Sequence, residues 1–501
     1  MKNKENSKYK YFTGNLALFT ISNFVSKILV FLLVPFYTNV LSTADYGIAD
    51  VMQTTLLLLV PALTINMGEA ALRFGIDRSD KRNEIFRIGL KFVLIACASV
   101  AACCGIGYAL VKPEIKWYLF LFIFLFLTNC LYEYLILFFQ GCEKVKIVVC
   151  GSVFSTVVLL VSNIIFLLVI KIGLNGYLLS QMLAFSLASI LMLILGRKFM
   201  PDVVCIPGKK KRQENKDKEF EKELVSYGIP MIAYSTGSWI NNAADRYLVS
   251  FIKGVAVNGV YGVAYKIPAI LTVFQRIFAQ AWQMSATKSY KDDNSKEFFS
   301  SMYTFYNTFM VVGCGFLILI VRLLAFFMFK KDFYEAWRFV PPLLISVVFG
   351  ALTGFLGSIC LAYKDSKAMG FATGVGALVN IILNIILIPK YGAMGAASAT
   401  GVSYFLMYFM AFIKMSGHVK LDVNLPRDYF AYILLIIEAL FMINGRALAM
   451  IYGDVVLFNI EIEYYAAGFV FLLILISYIK DIIKILKKLK SLPHKERDEE
   501  A

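Results

Sequence analysis

Long apolar runs recur along the whole chain, and each is long enough to cross a bilayer as an α-helix. Hydrophobic residues make up 59% of the 501 residues, whereas soluble domains contain about 45–50%. We therefore expect an all-α polytopic membrane protein with about fourteen transmembrane helices. The predicted spans are 14–40, 47–71, 85–110, 117–140, 146–170, 177–199, 224–251, 259–285, 299–325, 336–362, 369–388, 395–415, 429–450 and 462–480.

Lysine and arginine residues are distributed unevenly between the segments that connect these spans. With the N-terminus placed in the cytosol, the cytosolic segments and their immediate flanks hold 36 of the 50 lysines and arginines, the outer segments hold 8, and the remaining 6 lie within helices. Basic loops stay on the cytosolic side of a membrane, so the bias favours an even number of spans with both termini in the cytosol. The same bias explains the net charge of +16, and we predict no nucleic-acid partner.

The chain contains an internal repeat. Tyr-Gly follows the first span at Gly47 and the seventh span at Gly262, and Lys-x-Gly precedes the sixth span at Gly173 and the twelfth at Gly392. The two motifs are 126 residues apart in the first half and 130 in the second. Six spans, an even number, give both repeats the same orientation, and such repeats place a substrate site at their interface near the midplane.

A charged linker separates the two halves and contains no apolar core, which is typical of a solvated cytosolic segment. The predicted organisation is an N-terminal six-helix bundle over 1–199, the basic linker over 200–223, a C-terminal six-helix bundle over 224–416, helices 13 and 14 over 417–480, and a basic cytosolic tail over 481–501.

Four cations lie inside the first two spans of the two halves: Lys27, Arg246, Lys266 and Arg276. A charge at the centre of a membrane costs at least about 2.5 kcal/mol, so such residues face a cavity or a partner helix. Asn23 shares a helical face with Lys27, and the repeat matches Asn242 to Lys27. We predict that these six residues line a cavity that binds an anion, with phosphate as the natural candidate. The alternative is that the charges form ion pairs that fix helix packing.

Acidic residues are fewer in these four spans, and we expect them to be Glu69 and Asp245. The cavity would therefore carry a net positive charge. The candidates for ion coupling or gating are Asp245, Glu133, Glu69 and Arg73. Each has a structural alternative. Asp245 could form an interhelical salt bridge, Glu133 could be a hydrogen-bonded core acid, and Glu69 could form a local i, i+4 ion pair with Arg73.

The sequence contains no enzyme signature. It has no Gly-Lys-Ser/Thr phosphate loop, no Cys-x-x-Cys pair and only two histidines, His418 and His494, both in predicted cytosolic segments. We predict no catalytic residues, no metal and no cofactor. Transport would then be driven by an ion gradient, by the membrane potential or by the gradient of the substrate.

Three stretches of the chain resemble the polysaccharide-biosynthesis flippases (Wzx-type) of the multidrug/oligosaccharidyl-lipid/polysaccharide (MOP) exporter superfamily. They are ISNFVSKILVFLLVPFYTNVLSTADYGIADVMQTT, ADRYLVSFIKGVAVNGVYGVAYKI and NIILNIILIPKYGAMGAASATGVSY. The resemblance implies two six-helix bundles in a V-shaped, MATE-like arrangement around a central cavity, with two additional C-terminal helices. It also implies a substrate, an undecaprenyl-diphosphate-linked oligosaccharide that alternating access flips to the outer leaflet of the bacterial cytoplasmic membrane.

The family's cationic cavity would correspond here to Lys27, Arg246, Lys266 and Arg276. Asp245 or Glu133 could couple a cation, H⁺ or Na⁺, and a polysaccharide polymerase and assembly proteins are the expected protein partners. Three alternatives remain open. They are a lipid II-type flippase, which carries more arginines in its first two helices; a multidrug or cation antiporter, which has acidic cavity residues; and a non-transporting scaffold of a glycan assembly complex.

Overall fold

The computed structural model describes residues 33–110, 113–204, 214–291, 293–363, 365–452, 456–457 and 460–490. These residues are helical except for connecting turns and one antiparallel pair of two-residue strands, β1 (Val456–Leu457) and β2 (Ile460–Glu461). The chain divides into two units, Met1–Ser250 and Phe251–Ala501.

The helices of the first unit lie at approximately the positions of the predicted spans. They are α1 (Val34–Val40), α2 (Thr43–Leu63), α3 (Met67–Asp77), α4 (Arg82–Leu110), α5 (Pro113–Gly141), α6 (Val145–Asn163), α7 (Gly173–Phe199) and α8 (Glu214–Lys253). A π-helical turn, Ile164–Val169, extends α6, and the last three residues of α8 belong to the second unit. Ser42 caps α2, since its side chain accepts a hydrogen bond from the Asp45 backbone N–H at 3.1 Å.

The second predicted span, 47–71, is divided into α2 and α3 in the structure. Pro61 lies in the last turn of α2 and has no backbone N–H to continue the helix. Ile65 and Asn66 follow with φ of 53° and 50°, in the left-handed region that ends a helix. The chain then restarts as α3, so this span is a broken helix rather than a single one.

The second unit contains the remaining helices. They are α9 (Val255–Ala264), α10 (Pro268–Ser289), α11 (Ser295–Leu319), α12 (Val321–Met328), α13 (Val340–Ala362), α14 (Ser366–Tyr391), α15 (Ala393–Ser416), α16 (Leu425–Tyr452) and α17 (Ile462–Lys490). A 3₁₀ helix, Lys331–Phe339, precedes α13. The predicted span 259–285 is also divided, because α9 and α10 meet at a 52° bend just before Pro268.

Ten helices in the described ranges are long and apolar enough to cross a membrane, or eleven if the bent pair α9–α10 counts as one span. The chain is therefore a multi-pass membrane protein. The count of fourteen remains a prediction. Residues 1–32, which include Asn23 and Lys27 and most of the first predicted span, lie outside the described residues.

The two units repeat the same order of helix packing. In the first unit, α5 packs against α3, α4 and α7, and α6 packs against α7. In the second unit, α13 packs against α10, α11 and α15, and α14 packs against α15. The turns at Gly173 and Gly392 also share a left-handed φ, 54° and 60°. An internal duplication predicts this agreement. The last two helices, α16 and α17, pack together and against α11.

Candidate functional site

Helix α8 carries the largest group of predicted site residues, and it lies antiparallel to the broken helix α2–α3. The two pack closely at Gly228, where an added Cβ atom would overlap the Ile65 carbonyl oxygen at the helix break. The side chains of Asn66 and Trp239 donate hydrogen bonds across the same interface, to Ser235 Oγ at 3.1 Å and to the Thr54 carbonyl at 2.8 Å. The absence of a side chain at Gly228 therefore allows α8 to pack closely against the break between α2 and α3.

An ion pair between Arg246 and Asp50 lies near the C-terminal end of this interface. Arg246 Nη1 donates to Asp50 Oδ1 at 2.8 Å, and the two side chains are 18% and 8% exposed. Tyr247, the next residue of α8, forms a short hydroxyl contact with Thr55 of α2. Both charges lie inside predicted spans, so they compensate each other where water does not reach freely.

This ion pair corrects the expected charge of the site. Asp50 lies inside the predicted span 47–71, so the expectation that Glu69 and Asp245 are the acids of these spans is wrong. In this conformation Asp50 neutralises Arg246, and the first unit contributes less positive charge than predicted. A complete count of acids inside the spans would have found Asp50. No local pattern would have paired it with a residue 196 positions away.

The other predicted site residues of α8 lie within one helical turn of Arg246. Asp245 is 3% exposed, and one of its oxygens accepts a hydrogen bond from the Arg246 backbone N–H at 2.9 Å. Asn242 is exposed one turn earlier on the helix. Adjacent side chains on a helix point about 100° apart, and the Arg246 guanidinium binds Asp50 of α2.

Lys266 and Arg276 belong to the second unit. Lys266 lies at the bend between α9 and α10, where it is half-buried and its backbone N–H donates to the Val263 carbonyl at 3.0 Å. Arg276 is exposed on α10, beyond Pro268. The bend therefore places one candidate cation at a break in regular helix and the other on a continuous helix.

The remaining acidic and gating candidates lie apart from this group. Glu133 is exposed on α5, and Glu69 is half-buried on α3. Arg73 forms its i, i+4 ion pair with Asp77, at 3.2 Å, and not with Glu69 as the alternative interpretation expected. With exposures of 61% and 47%, this pair is a weak surface contact.

Two exposed ion pairs hold the N-terminal part of α8. They are Arg78–Glu223 and Lys91–Glu221, each with an N–O distance of 2.7 Å. Beside them Phe220 is 2% exposed and packs against the Phe74 ring, and the Lys81 ammonium lies 4.3 Å from the Phe220 ring centroid. This part of α8 lies in and next to the segment that was predicted to be a solvated linker.

The second unit contains buried acids that were not among the candidates. Glu463 of α17 pairs with Arg322 at 2.8 Å. Asp428 of α16 accepts hydrogen bonds from Arg427 and from the Tyr478 hydroxyl, both at 3.0 Å. Glu438 is fully buried in α16. All three lie in helices 13 and 14 or at their ends, which the repeat assigned to an appendage. Among the described residues, no group of three or more His, Cys, Asp or Glu could hold a metal ion.

Residues 12–284, more than half of the chain, match the family described as polysaccharide biosynthesis proteins. The chain is also 26% identical over 262 residues to an uncharacterised membrane protein of Methanocaldococcus jannaschii. That match covers 51% of this chain and 62% of the relative's length.

Three solved structures with a similar fold are membrane transporters. The lipid II flippase MurJ, in an inward-closed conformation, is 17% identical with a TM-score of 0.64, over 93% of this chain and 100% of that chain. An inward-facing multidrug resistance MATE family transporter of the MOP superfamily is 12% identical with a TM-score of 0.59, over 78% and 95%. A MATE transporter of Vibrio cholerae is 10% identical with a TM-score of 0.53, over 80% and 93%. The chain therefore belongs to the polysaccharide biosynthesis protein family and has the fold of the MOP superfamily.

Proposed function

We propose that the protein is a flippase that moves undecaprenyl-diphosphate-linked oligosaccharide repeat units from the cytosolic to the outer leaflet of the bacterial cytoplasmic membrane. The observation that carries this proposal is the family match over residues 12–284, which starts before α1 and ends within α10. The fold supports it, because flippases and multidrug transporters share that fold. The product would serve cell-surface polysaccharide biosynthesis, in which a polymerase and assembly proteins act as partners.

In this proposal the chain crosses the membrane fourteen times, with both termini in the cytosol and two six-helix bundles. The packing order repeated in the two units supports the duplication on which the two bundles rest. The 36-to-8 bias of lysine and arginine supports the orientation. Rocking of the two repeats about a site near the midplane would give alternating access without an enzymatic step.

Arg246 would bind the diphosphate by exchanging its carboxylate partner. A guanidinium donates to carboxylate and phosphate oxygens with the same forked geometry. Asp50 occupies Arg246 in the described conformation, so an arriving diphosphate would compete for the same N–H groups. Loss of the Asp50 contact would weaken the hold of α2 on α8, which links substrate binding to helix movement.

The other candidates would complete the site. Lys27, Asn23, Asn242, Lys266 and Arg276 would give further contacts to the diphosphate and the first sugars. Asp245, Glu133, Glu69 and Arg73 are the candidates for coupling a cation, H⁺ or Na⁺, or for gating.

Proteoliposomes that contain the full-length protein would test this function. A lipid-linked oligosaccharide labelled on its sugar reports the rate at which the label changes leaflet. We expect Lys27→Gln with Arg276→Gln to slow flipping at least about tenfold, because a hydrogen bond to a charged group contributes about 1.5–3 kcal/mol. The control is Arg338→Gln, a 39% exposed arginine that pairs with Glu335, and it should flip at the wild-type rate.

The same vesicles separate the alternatives. A protein that leaves the labelled oligosaccharide in place but moves lipid II would be a peptidoglycan-precursor flippase, the second candidate, which the match to MurJ over 93% of the chain favours. A protein that moves neither lipid but exchanges organic cations would be an antiporter. A protein that moves none of these would be a scaffold. Wild-type flipping by the double variant would contradict the cationic site while leaving the flippase in place.

A further inference from the structure

Glu438 is a fully buried carboxyl in the middle of α16. Its side chain is 0% exposed, and among the described residues neither carboxyl oxygen has a hydrogen-bond partner. Leu434 and Met442, one turn on either side, are also buried, whereas Ile436 and Leu440 of the same helix are exposed. The Glu438 side chain therefore points into the protein rather than toward lipid.

Helices α11 and α17 close around this carboxyl. A Cβ atom added at Gly315 of α11 would lie 3.1 Å from Glu438 Oε2 and 3.0 Å from the Phe471 ring of α17. The absence of a side chain at position 315 thus makes space for the carboxyl oxygen. Three helices, α11, α16 and α17, form this site. The groups next to Glu438 Oε2 are the backbone at Gly315 and the aromatic ring of Phe471.

Few titratable groups face Glu438. Cys314 of α11 is close enough to interact with it electrostatically. Arg322 reaches α16 one turn further along, at the Met442 carbonyl, but it already pairs with Glu463 of α17. Helix α13 also packs against α16 and has no charged residue. Within the described ranges, no cation compensates an ionised Glu438.

A bare carboxylate in this position would be far more costly than a carboxylic acid, because neither oxygen could replace the hydrogen bonds it gives up on leaving water. A metal cation fits poorly, since it binds several oxygen ligands together. The described neighbours offer a thiol, a glycine and a phenyl ring instead. A proton neutralises the charge and needs no additional ligand.

We propose that Glu438 is a proton-binding site. It carries one proton while α16 packs against α11 and α17, and it releases that proton to water when the packing opens. If the protein transports its substrate as proposed above, this site makes H⁺ the coupling ion, and that part of the inference rests on the proposed function.

Infrared spectroscopy of the purified full-length protein tests the proton directly, independently of transport. We expect the carbonyl stretch of a protonated carboxylic acid to persist at about pH 8.5, well above the normal range for glutamate, and to disappear in Glu438→Gln. The control is Glu335→Gln, whose carboxyl is 55% exposed and pairs with Arg338, and it should leave that band unchanged. A wild-type protein without the band at this pH would overturn the proposal.

Thermal unfolding gives a second measurement. An acid held protonated in the folded state loses its proton more readily when unfolded, so stability falls as pH rises. Between about pH 5.5 and about pH 8.5, the unfolding temperature of the wild type should fall further than that of Glu438→Gln. Equal falls in the two proteins would overturn the proposal.

A second variant guards against a failure to fold. Glu438→Met has a similar volume, and a site without hydrogen-bond partners should accept it. Misfolding of both variants would therefore contradict a neutral Glu438. In vesicles with a proton gradient, loss of the gradient's effect on flipping in Glu438→Gln would support coupling. A full gradient effect in that variant would remove the coupling role but not the protonated acid.

Discussion

Ion pairs hold both ends of α8 against other helices of the first unit, but the two ends differ in how far the charges are exposed to solvent. Near the C-terminal end, the Arg246 and Asp50 side chains are 18% and 8% exposed. Near the N-terminal end, the side chains of the two exposed pairs, which include Arg78–Glu223, are between 27% and 52% exposed. Water and salt screen the second set of charges but reach the first set much less.

Apolar contacts, by contrast, should contribute more to stability at the N-terminal end of α8 than at the C-terminal end. Phe220 lies before the predicted span 224–251, so its burial removes an aromatic ring from water and is strongly favourable. Inside the spans, exposed helix surface faces lipid instead, and burying apolar groups there gains little. We infer that the interface depends on Phe220 at one end and on the Arg246–Asp50 pair at the other.

Removing the buried acid should have the largest effect. Asp50→Ala leaves the Arg246 charge buried without its carboxylate and should lower the free energy of unfolding by about 3–5 kcal/mol. Denaturant unfolding of the full-length protein in detergent measures this change.

A double variant separates loss of the pair from loss of packing. Asp50→Leu with Arg246→Met replaces both charges by apolar groups and should recover most of the lost stability. If the double variant were as unstable as Asp50→Ala, the buried charge would not be the cause, and the proposed contrast between the two ends would fail.

Truncation of Phe220 should have the next largest effect, and a local one. Phe220→Ala removes the ring that packs between Phe74 and Lys81 and should cost about 3 kcal/mol. Hydrogen exchange should become faster in residues 214–227, while the region around Arg246 stays protected. Phe251→Ala is the matched control, because Phe251 is 90% exposed near the other end of the same helix. Protection that is lost along all of α8 would show that the two ends are not independent.

The contrast also shows which features of the structure can be predicted from a short stretch of sequence. The predicted spans after the first fall on helices, apart from short breaks inside some of them, because an apolar run of this length has few other ways to satisfy its backbone in a membrane. The divisions at Asn66 and before Pro268 were not predicted, although Pro61 and Pro268 were visible signals. A proline can kink a helix or merely start one, and its neighbours decide between these outcomes.

The site was harder to predict than the helices. Arg246 was named from the cost of an intramembrane charge, but its partner Asp50 depends on which helices pack together. Glu438 carries the same kind of sequence signal, but the repeat predicts a substrate site elsewhere and makes α16 an appendage. The cost of an intramembrane charge identifies such residues one by one, whereas their pairing is a property of the folded chain.

Removing the exposed pairs should have the smallest effect. Glu221→Gln with Glu223→Gln should lower the free energy of unfolding by no more than about 1 kcal/mol, since water already solvates these charges. The loss should shrink further as salt is added, whereas the loss caused by Asp50→Ala should persist. Denaturant unfolding at low and high ionic strength measures both changes. A large loss that salt does not reduce would mean that the N-terminal end of α8 is held by its charges, and Phe220 would then be a secondary contact there.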